Sequence, residues 1–373
     1  MTEKRKSLVI VISMTCLLFA FSAWCLLKES DKYSDSERRA LASMPELSVD
    51  SILSAEFMTD FETYATDQFP LRDGFRKLKA WSQYHLFGRL DNNDIYQMDG
   101  HLAKLEYPLN TQMLDHAAER FTWIYEKFLK ENDMNVYLSI VPDKNMFLAA
   151  ENGYPALDYD ALADYLTEKL SFMEYIDLYD QLSADDYYRT DTHWKQENIV
   201  DIAGVIQDAM GISSDELHNE QKYEEHVSEH PFYGVFHGQA AVDTEPDVLK
   251  YLTSDVLESC IVTSYDTGKP VQVPLYDMEA AAGKDPYEMF AGGSDALVTI
   301  ENPMAETDRE LVLFRDSFGS SIAPLLVDGY AKVTLVDIRY VQSAMLGNFI
   351  EFDDQDVLFL YSTMMLNNSK GLR

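Results

Sequence analysis

Residues Ser7 to Leu27 read SLVIVISMTCLLFAFSAWCLL, 21 successive residues without a charge. A helix of that length rises about 30 Å, the thickness of a bilayer's hydrocarbon core. Lys4, Arg5 and Lys6 stand just before it, and Lys28, Glu29, Ser30 and Asp31 just after. Basic residues stay on the cytoplasmic side of a span, so this bias puts the N-terminus inside and the chain from Ser30 onward outside the cytoplasm. A cleaved signal peptide is the other reading. Its apolar region would be shorter, and small-residue cleavage options near Ala23 are weak.

Two of the three cysteines, Cys16 and Cys25, fall within that segment. Cys260 is then the lone thiol of the outer part, which leaves no intradomain disulfide and no cysteine-based zinc site. Stability there must come from an apolar core, and 46% hydrophobic and 12% aromatic residues suffice for one. The net charge of −34 argues against a nucleic-acid partner, whose phosphates would be repelled. A chain of 373 residues holds about two domains at most.

Residues 29–110 form a preamble with little β character: a tether near Ser43–Ser48, then two helices broken at Pro70. A hairpin follows around Asp99-Gly100. From 111 to 373 short apolar runs alternate with amphipathic stretches. Thr111–Asn132, Tyr159–Met173 (N-cap Asp158), Lys195–Met210 and a segment from Ser320 read as helices. Asn135–Val141, Tyr175–Leu178, Glu310–Phe314, Lys332–Val336 and Asp356–Tyr361 read as strands. This order predicts an α/β fold, a doubly wound, mostly parallel sheet with helices on both faces. The acidic stretch of about 214–308 reads as an insertion with hairpins.

Three places carry candidate chemistry. In Glu310–Ser321 an apolar strand runs into Asp316-Ser317-Phe318-Gly319 and then a helix. Ligands of parallel sheets bind beyond the carboxyl ends of the strands, beside free N–H groups of a helix N-terminus. Ser317 there suits a nucleophile whose oxyanion is met by backbone donors, although Asp316, Ser317 or Ser320 also suits a plain helix cap. In Tyr188-Arg189-Thr190-Asp191-Thr192-His193-Trp194, residues two apart in an extended segment face one side. Asp191 can then orient His193 as a general base; equally, Asp191 caps a helix near Trp194 and His193 is a surface residue. A metal at this Asp-x-His pair finds no supporting ligand cluster, and nothing in the sequence asks for a cofactor. Last, Lys144 in Pro142-Asp143-Lys144-Asn145 is either a contact for a sugar or anionic substrate group or an ordinary loop lysine.

The sequence resembles the DHHW family of bacterial envelope proteins, relatives of SGNH-like, alginate-type polysaccharide O-acetyltransferases. The resemblance runs over nearly the whole chain: the anchor, Ser36-Glu37-Arg38-Arg39-Ala40-Leu41-Ala42 with Pro45, Asp67-Gln68-Phe69-Pro70-Leu71-Arg72-Asp73, and Pro142-x-Lys144. It continues through Tyr187–Trp194, Phe232-Tyr233-Gly234, Pro246-Asp247, Asp316-Ser317-Phe318 and Asp337-Ile338-Arg339-Tyr340. Thr192 departs from the family's name motif, at its first histidine.

The resemblance implies an SGNH-hydrolase-like fold with Ser317 as nucleophile, His193 as general base and Asp191 as its orienter. Arg189, Trp194 and Lys144 are then candidate substrate contacts. The Ser317 N–H is the first choice of oxyanion donor, with Asn367 and Asn368 as further candidates. The expected function is a membrane-anchored O-acetyltransferase or acetylesterase acting on an envelope polysaccharide, its acetyl donor loaded by a separate multi-spanning acyltransferase. The alternative is a non-catalytic glycan-binding or scaffold protein of an envelope or sporulation complex.

Overall fold

The computed structural model describes residues 3–132, 134–213 and 223–373; residues 214–222, where the expected insertion begins, lie outside the described residues. Two compact units arise, Met1–Asn93 with His237–Asp243, and Asp94–Phe236 with Thr244–Arg373.

In the first unit, α1 (Glu3–Leu27) is long and apolar enough to cross a membrane. The segment with Pro70 folds as two helices, α2 (Glu56–Asp67) and α3 (Arg72–His85). The turn between them is fixed by charge. Buried Asp67 accepts from both terminal nitrogens of Arg39, at 2.9 and 2.5 Å, and from the Ala42 N–H at 3.0 Å. Arg72 and Arg76 both reach Glu37. The two preamble motifs therefore fold onto each other.

The second unit begins with the expected hairpin, Ile95–Met98 and His101–Lys104. Asp99 and Gly100 adopt φ of 51° and 84° at its turn, which glycine permits and aspartate tolerates. Next come α4 (Thr111–Ile124), β1 (Val136–Val141), α5 (Tyr159–Lys169), β2 (Glu174–Ile176) and α6 (Val200–Ala209). The Asp158 side chain caps α5 by accepting from the Ala161 N–H. Further along the chain come β3 (Ile261–Ser264), β4 (Val271–Val273), β5 (Leu297–Glu301), β6 (Glu310–Arg315), α7 (Phe318–Leu326), β7 (Lys332–Val336) and β8 (Asp356–Ser362).

One sheet takes the order β4-β3-β5-β7-β6-β8-β1-β2. From β7 to β2 all neighbours run parallel, while β5, β3 and β4 add antiparallel to the β7 side. The presumed insertion thus extends the main sheet. Its hairpins are not confined to the periphery, because Val262, Val298 and Ile300 are apolar enough to join the core. Alternation divides the β6 and β8 side chains between two faces. Leu311, Leu313, Leu358 and Leu360 meet α6 and α7, whereas Val312, Phe314, Val357 and Phe359 meet α4 and α5. In-register pairing of Arg315 with Leu360 and of Ser362 with Val141 aligns the carboxyl ends of three central strands at one edge.

Candidate active site

The serine lies where β6 gives way to α7. Ser317 occupies the N-cap position of α7 with φ −62° and ψ −21°, yet its side chain makes no capping bond. Asp316 does that work: Oδ1 accepts from the Phe318 N–H at 3.0 Å, and Oδ2 accepts from the Ser362 N–H and hydroxyl at 2.8 and 2.7 Å. Gly319 lets the first helical turn settle on buried Arg315, because a Cβ there would stand 2.5 Å from the Arg315 Cβ. A long buried side chain at the strand end thereby fixes the turn that presents Ser317.

The histidine comes from a loop that doubles back, with Tyr187 bridged to Trp194 and the Tyr188 N–H donating to the His193 carbonyl at 3.0 Å. An extended segment was expected, with Asp191 and His193 on one side. The structure instead joins them by a tight Asp turn, in which Asp191 Oδ1 accepts from the His193 N–H at 3.1 Å. The loop is gripped from opposite charges. Lys144 Nζ donates to the Tyr188 and Arg189 carbonyls at 2.8 and 3.2 Å. Buried Asp247 accepts from the Arg189 N–H, the Thr190 N–H and the Thr190 hydroxyl at 2.8, 2.7 and 2.6 Å. Gly234 closes the third side, where a Cβ would meet the Thr190 carbonyl oxygen at 2.3 Å.

These supports bring three side chains into one line. His193 Nε2 stands 2.7 Å from the Ser317 hydroxyl, and His193 Nδ1 stands 2.6 Å from Asp191 Oδ1. The other Asp191 oxygen accepts from the Val235 N–H at 2.7 Å. Asp191 is 1% exposed, so its carboxylate is compensated by directed donors rather than by water. The His193 ring lies flat on Tyr287, 3.8 Å between centroids and 8° between planes. The Tyr287 hydroxyl pairs with Ser321 Oγ at 2.7 Å, and Ser321 Oγ accepts from Trp194 Nε1 at 2.9 Å. Burial holds the Tyr287 phenol above its ordinary value of 10.0, so it remains a neutral, hydrogen-bonding stacking partner.

The remaining sequence candidates take other places. Lys144 is 2% exposed and spends its ammonium on loop carbonyls, so it supports the histidine loop and does not reach substrate. Burial pushes its ammonium down to about 7, with nearby Asp191 opposing the shift. Trp194 is fully buried and ties the loop to α7; it has no face for a sugar. The Asn367 amide oxygen accepts from the Asn110 N–H at 2.7 Å and its nitrogen donates to the Pro108 carbonyl at 3.2 Å, so the side chain ties its helix to the segment before α4. Asn368 is exposed at the end of the short helix Thr363–Asn367. Arg189 keeps a half-exposed side chain with Nε 3.7 Å from Asp247. Thr192 points its hydroxyl at the Met364 sulfur, 3.3 Å away.

Sequence reasoning passed over Tyr287, Asp247 and Gly234. The last two stood in quoted motifs without a role. Tyr287 lies in the acidic stretch, where no local pattern marks it. Among the described residues no group of three His, Cys, Asp or Glu side chains gathers as a metal site.

The line Asp191–His193–Ser317 has the order that proton removal from a hydroxyl requires: acceptor imidazole on the serine, carboxylate on the far ring nitrogen. The Ser317 N–H sits in the first turn of α7, where no intrahelical acceptor exists and partial positive charge gathers. That is the kind of donor an oxyanion needs.

No family model matches the sequence, and no curated protein matches it either. Solved structures do share the fold. A DHHW family protein from Eubacterium siraeum aligns over 75% of this chain and 95% of its own, with 22% identity and a TM-score of 0.60. Bacillus cereus PatB1 bearing a sulfonyl adduct aligns over 73% and 95%, with 20% identity and a TM-score of 0.57. The O-acetyltransferase domain of Pseudomonas putida AlgJ is less alike and adds nothing to that likeness: it aligns over 73% and 92%, with 13% identity and a TM-score of 0.44.

Proposed function

We propose that this chain is a serine-dependent acyl-transfer enzyme that moves acetyl groups on or off a cell-envelope polysaccharide, held to the membrane by α1. The observation that carries the reading is the hydrogen-bonded chain from Ser317 through His193 to buried Asp191. His193 takes the Ser317 proton as the oxygen attacks an acetyl ester, and Asp191 stabilises the imidazolium that results. The tetrahedral oxyanion is met by the Ser317 N–H. Collapse of the intermediate expels the donor's leaving group, which receives the proton from His193. A sugar hydroxyl, or water, then gives its proton to His193 as its oxygen attacks the acetyl carbon, and His193 returns that proton to the Ser317 oxygen as the bond from serine to the acetyl group breaks.

The envelope polysaccharide as acceptor, and a multi-spanning acyltransferase as the source of acetyl groups, rest on the family resemblance. A domain outside the cytoplasm needs a donor delivered across the membrane.

The test pairs a fluorophosphonate probe with acetate release from an activated acetyl ester. The expected outcome is labelling at Ser317 and a loss of about 10³-fold or more in Ser317→Ala, with an unchanged melting curve. Undiminished turnover in Ser317→Ala removes the enzyme reading. An unlabelled protein that binds glycan supports a scaffold in its place.

A further inference from the structure

Helix α3 and its flanks carry large apolar side chains that the protein does not cover. Leu71, Phe75, Leu78 and Trp81 are between 45% and 62% exposed. Their spacing of four, three and three residues sets them on one side of the helix, an arc of roughly 120° at about 100° per residue. In water such a stripe is costly, because each half-uncovered side chain keeps apolar surface in contact with solvent.

What covers the stripe is indicated by α1. Phe21 stacks on Phe69, 5.7 Å between centroids and 5° between planes, and meets Phe75 edge-on at 6.2 Å. Phe69 and Phe75 also touch, at 5.5 Å. Phe21 lies within the apolar span Glu3–Cys25, roughly 9 Å before the end of α1 at about 1.5 Å per residue. Side chains in contact with Phe21 share its depth, so the start of α3 is carried to the outer edge of the hydrocarbon. Trp81, further along the same face, is a residue type that settles at membrane interfaces. Residues 71–90 hold five Lys or Arg against one Asp in a chain of net charge −34, which spares this stretch repulsion from anionic headgroups.

We propose that α3 lies in the outer interface of the phospholipid bilayer, its apolar stripe sunk among the upper acyl chains. The first unit is thereby held flat on the membrane as well as tethered to it. The proposal rests on α1 being a membrane span.

The full chain in nanodiscs of phosphatidylcholine and phosphatidylglycerol, brominated near the headgroup, tests this by tryptophan quenching. Emission from Trp24 and Trp81 is isolated by difference against Trp24→Phe and Trp81→Phe. Quenching of both is expected. Quenching of Trp24 with Trp81 unaffected overturns the proposal and leaves the anchor standing; quenching of neither overturns the anchor and the proposal together. Leu78→Glu, at an exposed position, is expected to weaken Trp81 quenching and leave Trp24 quenching intact. Undiminished Trp81 quenching in that variant overturns the stripe as the seat.

Discussion

Asp316 caps the helix that Ser317 opens, and this frees the Ser317 hydroxyl for His193. Two adjacent residues of equal capping aptitude have been given different tasks. Asp316→Ala would leave the Phe318 and Ser362 N–H groups without their acceptor and let the Ser317 oxygen turn inward to take one of them. The expected outcome is a stability loss of about 1–3 kcal/mol and a fall in kcat larger than in any variant of equal stability elsewhere. Denaturant melts and ester hydrolysis measured on the same preparation check it.

Tyr287 holds the plane of the His193 ring. Tyr287→Phe keeps the stacked face and removes the bond to Ser321, at a cost of about 1 kcal/mol and little activity. Tyr287→Ala removes the face, costs about 3–5 kcal/mol, and lets the imidazole tilt away from Ser317. A misplacement of about 1 Å is worth about 10²-fold in rate. Activity that is equal in the two variants would deny the ring its positioning role.

Lys144 acts through the loop backbone, so Lys144→Met should lower kcat and leave KM near its original value, at about 1–3 kcal/mol for the two abandoned carbonyls. Linkage gives a separate signature. The folded lysine releases its proton near 7, while the unfolded one keeps it to the ordinary value of 10.5. Between those values the unfolded chain binds more protons, and stability rises with pH across the window. Urea melts at several pH values should show this contribution in the parent protein and lack it in Lys144→Met.

Arg39 and the Ala42 N–H hold the Asp67 carboxyl at about 2, below its ordinary value of 3.8. A lowered carboxyl contributes stability above the unfolded value and loses it as pH falls through the folded one. The first unit should therefore loosen between about pH 4 and pH 2. Asp67→Asn should be less stable than the parent at neutral pH and nearly equal to it at pH 2. Amide exchange over residues 56–85 reports the difference.

Much of the second unit was legible because strand and helix periods differ. The runs at 136–141, 310–315, 332–336 and 356–362 are too short for helices and too apolar for an exposed sheet. The acidic stretch was harder to read. Its strands alternate with polar residues, and only the register of Val262 with Ile300 shows that they enlarge the main sheet. At the site, residue type and placement made Ser317 and His193 candidates beside plain cap and surface readings, and only the family resemblance paired them. The roles of Lys144 and Trp194 were not, since both residue types serve substrates and cores alike. Burial decides between those uses, and burial depends on which segments fold over them.

Strand β8 lies between β6 and β1 and supplies, through Ser362, the donors that prop Asp316. A polypeptide made N-terminus first therefore contains His193 and Ser317 well before β8 can enter the sheet and align them. Until the middle of the sheet is filled, Asp316 lacks its Ser362 donors, and the turn that leaves the Ser317 hydroxyl to His193 is without its prop.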